Sequence, residues 1–547
     1  MASSSWFLTA IMASVAFVVF KLRNVGRRPK DYPPGPPTLP IIGNLHLMLA
    51  KNAHVQFKKW AEEYGPVYSL ILGTTTTIVL SSDVAIKDLL DKRSNIYSSR
   101  PDMYISGLAS GNMRMLLMEY GDTWRKIRKL FHTLLQLKTA KSYVPYQDLE
   151  SASMMIALLE QPDLVFDHIR RFTNSLSTQI IYGFRVARID DPKLLRLYQS
   201  VEGWAEVTGA AAAAVLDVFP ILRSLPAALT PLYHHALKLQ EFTSSLNTGL
   251  YLDAKKLVDT GKSKPSFCVG LVQAQHTEGF SNDLAAAVAG TALEASSDTT
   301  ASTLAGLVQA LVLYPEAQKR GQEVIDQVCG DRFPDINDME NPKAQYIRAM
   351  AKESLRWLPT AILGVPHSCI KDNEYMGYKI PKGASVVYNV WAVHMDPRRH
   401  PDPRAFKPER YMYDFASSTD SAQNPDATKR DHFTFGAGRR VCQGMHVVDR
   451  GMFLVITRLM WAFEFSRGKD GEGKEVMPDQ DDLVGGFLVQ PRPFPVTIKP
   501  RSEERAKKVR EAWEKCRALL DEDEQWREVP EGMPFTRFEP GGKGEFQ

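Results

Sequence analysis

The sequence has little cysteine. Its 547 residues include five, namely Cys268, Cys329, Cys369, Cys442 and Cys516. The number is odd and no two of them are closely spaced, whereas disulfide frameworks need pairs and zinc sites usually show closely spaced cysteines. The sequence therefore predicts neither kind of site, and it fits a reducing compartment.

The chain also lacks an excess of charge of one sign. It carries 67 lysines and arginines against 63 aspartates and glutamates, a net charge of +4, and the two signs are mixed along most of the chain. A nucleic-acid-binding protein is expected to gather its basic side chains into one patch or stripe. We therefore expect no nucleic acid partner.

Charged side chains are missing from Ala2 to Phe20, a stretch of 19 residues, and a basic cluster follows it. A helix needs ~20 apolar residues to cross a bilayer, and flanking basic residues stay on the cytosolic side. A cleaved signal peptide is the alternative, but it needs a basic stretch before the apolar one and a small-residue cleavage site after it. We expect a membrane anchor over residues 1–22 and a cytosolic body.

Proline is concentrated in the segment Pro33-Pro34-Gly35-Pro36-Pro37. Such a segment cannot be helical and favours a stiff, extended chain. We expect residues 23–40 to be a basic and proline-rich hinge that holds the body off the membrane. The body should span residues 41–500, where helical patterns dominate and no internal repeat occurs.

Two β-branched runs, Val67 to Leu72 and Thr76 to Leu80, are separated by Gly73-Thr74-Thr75, a pattern that predicts a β-hairpin. Further along, Ser281 can cap a helix that runs without proline to Tyr314, a length of roughly 50 Å at 1.5 Å per residue. The middle of that helix, Ser296 to Thr300, is rich in residues whose side chains compete for backbone carbonyls. The pattern predicts a local opening of the helix there.

Cys442 lies in the loop Phe435-Gly436-Ala437-Gly438-Arg439-Arg440-Val441-Cys442-Gln443-Gly444. Its glycines allow the backbone to turn closely around the sulfur, and its arginines supply positive charge. The loop therefore suits a thiolate, which is a natural axial ligand of haem iron. An incidental buried cysteine in a turn is the alternative.

The spacing of Phe435, Gly438, Arg440, Cys442 and Gly444 resembles the haem-ligand signature of the cytochrome P450 family. The resemblance implies a single large haem domain, mainly α with small β-sheets, behind an N-terminal transmembrane helix. It also implies haem b as cofactor, with Cys442 as the metal ligand and the other four residues around the haem.

Ala295 to Thr300 resembles the family's oxygen-activation motif, in which an acid and a threonine relay protons. The resemblance makes Asp298 and Thr299 the catalytic candidates. Ser296 stands where glycine is usual in the family, which affects the expected shape of the groove that a local opening of the helix would form beside the haem. A helix with merely solvated polar residues is the alternative.

Glu353 and Arg356 are three residues apart, so they share one helix face and can pair. The segment Phe406 to Tyr411 resembles the family's downstream partner of that pair, which makes Arg410 the third member of a buried network. We assign these three residues a structural role.

Haem carries two propionates, which need cationic or hydrogen-bonding partners. Trp124 and Arg128 lie four residues apart on one predicted helix face, and the resemblance adds His367 and Arg440. An ordinary basic helix and a loop histidine are the alternatives.

The resemblance implies a monooxygenase of the microsomal type, similar to fungal secondary-metabolite enzymes. Such an enzyme uses O2 and takes electrons from NADPH-cytochrome P450 reductase. A basic surface suits this partner, and a merely solvated face is the alternative; its residues are Arg125, Lys126, Arg128, Lys129 and Arg439. We expect a small apolar or aromatic substrate, with Glu294 turned away into a polar network. The expected location is the endoplasmic reticulum membrane, with a single span. A haem-thiolate isomerase or dehydratase, or a non-catalytic haem sensor, remains open.

A charged extension over residues 501–547 follows the body. Val509, Trp513, Cys516 and Leu520 form a narrow apolar stripe at helical spacing. We expect the extension to pack on the body or to bind a partner.

Overall fold

The computed structural model describes residues 24–48, 51–226, 230–486, 488–531 and 533. The predicted membrane anchor lies outside these residues, as does the end of the extension. No helix within the described ranges is both long enough and apolar enough to cross a membrane.

Helices make up most of the described chain. The longer α-helices are Ala53–Tyr64, Asp122–Leu135, Val144–Glu160, Val165–Tyr182, Pro192–Gly209, Ala211–Val218, Pro231–Asp259, Phe267–Glu278, Asn282–Leu313, Pro315–Cys329, Gln345–Trp357, Met445–Ala462 and Glu503–Arg517. Shorter helices are Asp83–Ile86, Ser94–Tyr97, Tyr104–Ala109, Leu137–Ser142, Val390–His394 and Ser418–Gln423. The predicted mainly helical fold is confirmed.

The strands are short. They are β1 Val67–Leu72, β2 Thr75–Leu80, β3 His367–Ser368, β4 Asn373–Tyr375, β5 Tyr378–Ile380, β6 Ser385–Tyr388, β7 Phe463–Arg467, β8 Leu483–Val484, β9 Gln490–Pro491 and β10 Val496–Pro500. β1 and β2 form the predicted hairpin, with Val67 opposite Leu80. β6 pairs in parallel with β2 and β3 pairs antiparallel with β6, which gives a four-stranded sheet in the order β1-β2-β6-β3. This sheet carries His367 at its edge.

Asn282–Leu313, which we call the central helix, begins as predicted: the side chain of Ser281 accepts a hydrogen bond from the N–H of Leu284. From Ala301 to Val312 it is buried on every side, as its apolar sequence requires. It packs most extensively against Val165–Tyr182 and Pro231–Asp259. The central helix therefore runs through the middle of the protein.

The predicted opening of the central helix is absent. The helix is continuous through Ser296 to Thr300. The Oγ of Ser296 donates to the carbonyl of Ala292 at 2.8 Å, and Oγ1 of Thr299 donates to that of Ala295 at 2.6 Å. Because these hydroxyls bond to carbonyls one turn back, they add to the helical hydrogen bonds without displacing them.

The proline-rich segment is docked on β1. The carbonyls of Pro33 and Pro34 accept hydrogen bonds of 2.6 and 2.7 Å from Oγ and N–H of Ser69. Arg28 donates to Oγ of Ser69 at 2.9 Å and to the carbonyl of Gly35 at 2.8 Å. This segment therefore lies against the body, and its role as a spacer from the membrane remains a prediction.

The extension packs on the body as well. Glu503–Arg517 lies against Val144–Glu160, and its apolar stripe faces inward, with Val509 and Leu520 buried and Trp513 and Cys516 partly buried. Beyond the helix, Trp526 is also buried. The extension thus contributes to the main hydrophobic core.

Candidate active site

Cys442 follows a short 3₁₀ turn over Gly438–Arg440, and its N–H donates to the carbonyl of Phe435 at 2.8 Å. Gly436 and Gly438 have φ of +77° and +62°. A Cβ at Gly438 would also clash with the carbonyl oxygen of Leu90. These two glycines are therefore needed for the turn that presents the cysteine.

Opposing effects act on the Cys442 thiol. Burial raises its pKa, while hydrogen bonds from the N–H groups of Gly444 and Met445 and the charge of Arg128 act in the opposite direction. The same amides would stabilise a thiolate once a metal cation replaces the proton. The loop thus has the chemistry predicted from its sequence.

Three arginines converge beside this loop, and within the described residues none of them has a carboxylate at ion-pair distance. Arg440 donates to the carbonyls of Ser98 and Met118 at 2.8 and 2.7 Å, and Arg128 donates to that of Val441. Arg100 donates to the carbonyls of Leu116, Val365 and Pro366 at 2.9, 2.8 and 2.7 Å.

Burial disfavours the charged form of each of these arginines. Burial and the charges of Arg100 and Arg128 lower the pKa of Arg440 to about 8. Burial lowers the pKa of both Arg100 and Arg128 to about 10. Buried cations without an anionic partner are costly, so this cluster calls for negatively charged groups.

Trp124 and His367 lie in the same cluster. The guanidinium of Arg440 stands 4.1 Å from the ring centre of buried Trp124, and that of Arg128 stands 5.8 Å from it. Nδ1 of His367 lies 2.6 Å from the carbonyl oxygen of Tyr97. Burial, Arg100 and Arg440 hold the pKa of His367 well below its usual value, so the ring is neutral.

The cluster fits the two propionates of haem. Trp124, Arg128, His367 and Arg440 are brought together near Cys442, as expected, and Arg100 joins them. Sequence reasoning missed Arg100 because Ser98-Ser99-Arg100-Pro101 shows neither helical spacing nor a charged partner, and its burial cannot be read from the sequence.

Asp298 and Thr299 face different surroundings, since successive helical residues point about 100° apart. Ala295, one turn before Thr299, is exposed although it lies on a helix in the protein interior, so this face borders open space. Burial raises the pKa of Asp298, while Arg170 acts against this shift and Glu202 adds to it. Thr299 therefore faces the open side and Asp298 faces a charged region.

Glu353 forms a buried network. Nε and Nη2 of Arg356 each donate to its carboxylate at 2.7 Å, and Nε of Arg410 lies 3.3 Å from Oε1. The N–H of Lys407 adds a fourth hydrogen bond of 2.8 Å. The structure brings the three residues together, and their role as a scaffold remains a prediction.

Glu294 does not turn away from the open space. It pairs with Arg114 and lines a cavity between the central helix, Pro192–Gly209 and Pro231–Asp259. The expected polar network is therefore present, although Glu294 also borders the cavity; its partner, Arg114, is 180 residues away in the sequence and cannot be identified by spacing.

Comparisons with known proteins agree with this geometry. The family model described as Cytochrome P450 matches residues 33–498. Cytochrome P450 monooxygenase fsoB of Humicola fuscoatra is 63% identical over 98% of this chain and 99% of its own. Cytochrome P450 monooxygenase virE of Hypocrea virens is 50% identical over 98% of this chain and 97% of its own.

A solved structure is also similar. A zebra fish cytochrome P450 structure with abiraterone has a TM-score of 0.65 at 23% identity, over 82% of this chain and 100% of that one, and it supports the fold alone. The thiolate loop, the unpaired arginine cluster and the match over most of the chain lead to one assignment: this chain belongs to the cytochrome P450 family, whose cofactor is haem.

Proposed function

We propose that this cytochrome P450 monooxygenase inserts one oxygen atom from O2 into a C–H bond or aromatic ring of a small, largely apolar or aromatic substrate in fungal secondary metabolism. The other oxygen atom leaves as water, which takes two protons and two electrons per turnover. The observation that carries the proposal is the placement of Asp298 and Thr299 on one turn, with Thr299 towards open space. The fungal relatives named as monooxygenases support it.

Haem, when bound, supplies the activation of dioxygen. Cys442 would hold the iron. Arg100, Arg128 and Arg440, together with Trp124 and His367, would hold the propionates, and Phe435, Gly438 and Gly444 would shape the loop. Since these groups belong to several distant segments, cofactor binding would fix them relative to each other.

Protons would enter through Asp298. Burial raises its pKa, which favours the protonated form, and Glu202, which is largely exposed and pairs with Arg170 at 3.8 Å, adds to this shift. Oγ1 of Thr299 would then pass protons to the dioxygen site, on the helix face that carries Ala295. The two residues thus take separate positions along one path.

Electrons would come from NADPH through a reductase. Arg125, Lys126, Lys129 and Arg439 are exposed, and three of them lie on Asp122–Leu135, the helix that carries Trp124 and Arg128. An acidic reductase surface would be steered to this region. Lys129→Glu should slow reduction by the reductase at low salt and leave reduction by dithionite unchanged.

We also propose a single-pass anchor in the endoplasmic reticulum membrane with a cytosolic body. Leu39, Ile41 and Ile42 are exposed, as are Ile221 and Leu225, which follow the helix Ala211–Val218. The two groups meet at the β1–β2 turn, where Gly73 N–H donates to the carbonyl of Ile42 and Thr74 N–H to that of Val218. Exposed apolar side chains on one side suit contact with a bilayer.

Carbonate-washed microsomes test the anchor. The full chain should stay with the membrane, and a chain lacking residues 2–22 should be released. A C-terminal tag on sealed microsomes should be digested by added protease. Protection of the tag would place the body in the lumen and contradict the proposed topology.

Isotope labelling tests the oxygenase activity. The haem-loaded protein, a fungal reductase and NADPH are supplied with ¹⁸O2 and a panel of alkylbenzenes and alkylphenols. A product that carries one ¹⁸O atom is expected, at one NADPH consumed per product. Thr299→Ala should keep NADPH consumption and form less product.

An isomerase or dehydratase would form product without NADPH and without ¹⁸O, and a sensor would form none while binding haem. Cys442→Ala serves as the control for the ligand: it should lose the spectrum of thiolate-ligated haem in the reduced carbon monoxide complex. An unchanged spectrum would contradict the role of Cys442.

A further inference from the structure

The cavity that Glu294 borders is mostly polar. Of the sixteen residues that line it, only Ala109, Met113, Trp204, Ala286 and Ala287 are apolar or aromatic. Pockets for small ligands are usually lined mainly by apolar side chains, with few polar groups. This polar lining indicates a ligand with polar groups of its own.

This cavity and the oxygen-activation residues lie along the same central helix. Thr291 lines the cavity, Ala295 is exposed, and Thr299 follows, so the three form one row at intervals of four residues along the central helix. The rise from Thr291 to Thr299 is about 12 Å at 1.5 Å per residue. One elongated molecule could therefore place one end in the cavity and the other beside Thr299.

The most strongly polar part of the wall is the ion pair of Arg114 and Glu294, whose side chains are only 13% and 10% exposed. The guanidinium of Arg114 also stands 4.2 Å from the ring centre of Trp204. Removing the partner of a buried charge is costly, so a ligand should leave this pair intact. An anion that bound Arg114 would be repelled by Glu294. A cation that bound Glu294 would be repelled by Arg114.

A hydroxyl group suits both members of the pair. It can donate to the carboxylate of Glu294 and accept from Arg114, and Gln240 and Asn247 offer further donors and acceptors in the same wall. Gly290 holds Asn247 close to the central helix, because a Cβ at this position would clash with the Asn247 side chain. Asn247 is therefore fixed in place by packing.

We propose that this cavity binds the polar end of an uncharged substrate with two or more hydroxyl groups, and that the Arg114–Glu294 pair recognises it. This proposal rests on the proposed monooxygenase function, because it names the substrate class of the same site. It places the apolar end of the substrate near Thr299, and thus near the oxidised carbon.

Calorimetric titration of the haem-loaded enzyme with pentylbenzene, 4-pentylphenol, 5-pentylresorcinol and 4-pentylbenzoate tests the proposal. The dissociation constant should fall roughly fivefold with each added hydroxyl group. The benzoate should bind no more tightly than pentylbenzene. Equal affinities for the three neutral compounds, or tightest binding of the benzoate, would overturn the proposal.

Charge variants sharpen the test. Glu294→Gln frees Arg114, so 4-pentylbenzoate should bind at least ~10-fold more tightly while the resorcinol loses affinity. Arg114→Gln should instead favour 4-pentylbenzylamine. Glu62→Gln, which removes the charge of an exposed partner of Lys58, is the matched control. It should not change the affinity for any of these ligands. Unchanged benzoate affinity in Glu294→Gln would contradict the assigned role of the pair.

The haem absorbance of each variant shows whether it is folded. If Glu294→Gln does not load haem, Arg114→Gln and Thr291→Val are used in its place. Thr291→Val should bind the resorcinol more weakly than the parent protein does. Titration needs no electrons or oxygen. If affinity rises with the number of hydroxyl groups but no ¹⁸O product forms, only the monooxygenase proposal is rejected. If ¹⁸O products form but affinity does not depend on the number of hydroxyl groups, only the proposal about substrate recognition is rejected.

Discussion

The Nε of Arg185 donates a 2.7 Å hydrogen bond to Oε1 of Glu150, and both side chains are buried. Arg171 pairs with the other oxygen, and Gln179 donates to Oε1 at 2.8 Å. The extension closes this network, since Nε1 of Trp526 donates to Oε1 of Gln179 at 2.6 Å. The charged end of the chain is thus part of the core that it covers.

Trp526→Ala should destabilise the haem-loaded protein by about 3–5 kcal/mol, the usual cost of removing a buried tryptophan. Thermal or denaturant unfolding measures the change. Tyr413→Ala is the control, because Tyr413 is 94% exposed and its loss should cost little. Equal, small effects in both variants would show that the extension is dispensable for stability.

Glu353→Ala should cost about 3–5 kcal/mol, because it leaves the buried Arg356 without its carboxylate. The yield of soluble, haem-loaded protein and its unfolding midpoint report the loss. Glu522→Ala, at an exposed position in the extension, should behave as the parent protein does. A Glu353→Ala protein of parental stability would contradict the scaffold role.

Gly290→Ala should destabilise the protein by about 1–3 kcal/mol, because the added methyl group meets Asn247. Gly249→Ala offers a matched comparison in another long helix, where a Cβ would meet nothing within 4 Å. There the better helix propensity of alanine should stabilise the protein by about 0.5–1 kcal/mol. The melting temperature of Gly290→Ala should therefore be lower than that of the parent protein, and that of Gly249→Ala should be higher.

Because of Asp217, the free energy of unfolding should fall as the pH rises from 4 to 6. Burial raises its pKa from the ordinary 3.8 to about 6, while its carboxylate accepts a 2.8 Å hydrogen bond from the N–H of Tyr104. In this window the folded protein binds more protons than the unfolded chain, so rising pH lowers the free energy of unfolding until it levels off above about 6.

Asp217→Asn keeps the oxygen acceptor and cannot ionise. Its melting temperature relative to the parent protein should therefore rise from pH 4 to 6 and then stay constant. Measuring both proteins in the same buffers cancels the contributions of other groups. A constant difference over the whole range would rule out Asp217 as the cause.

Arg100→Leu should lower the affinity for haem. The variant removes a cation that we assign to the propionates, so the ratio of haem absorbance to protein absorbance should fall and haem transfer to apomyoglobin should accelerate. Arg398→Leu, an exposed arginine paired with Asp396, should not change either quantity. Unaltered haem transfer in Arg100→Leu would remove Arg100 from the proposed set.

Local patterns predicted the local structure well. The hairpin at Gly73 and the cap at Ser281 follow from turn and capping chemistry, which act over a few residues. Contacts between distant segments were beyond such reasoning. The Arg114–Glu294 pair and the position of Arg100 depend on packing, and the continuous helix at Ser296 depends on where its hydroxyl group bonds.

The hydrogen bond between Gln179 and Trp526 joins residues that are 347 positions apart. At a synthesis rate of about 5–20 residues per second, Trp526 is added roughly 17–70 s after Gln179. During that time Glu150, Arg171 and Arg185 have been made but cannot yet be covered. The nascent chain therefore carries an uncovered ionic core while these 347 residues are made, and a segment translated much later is the one that covers it.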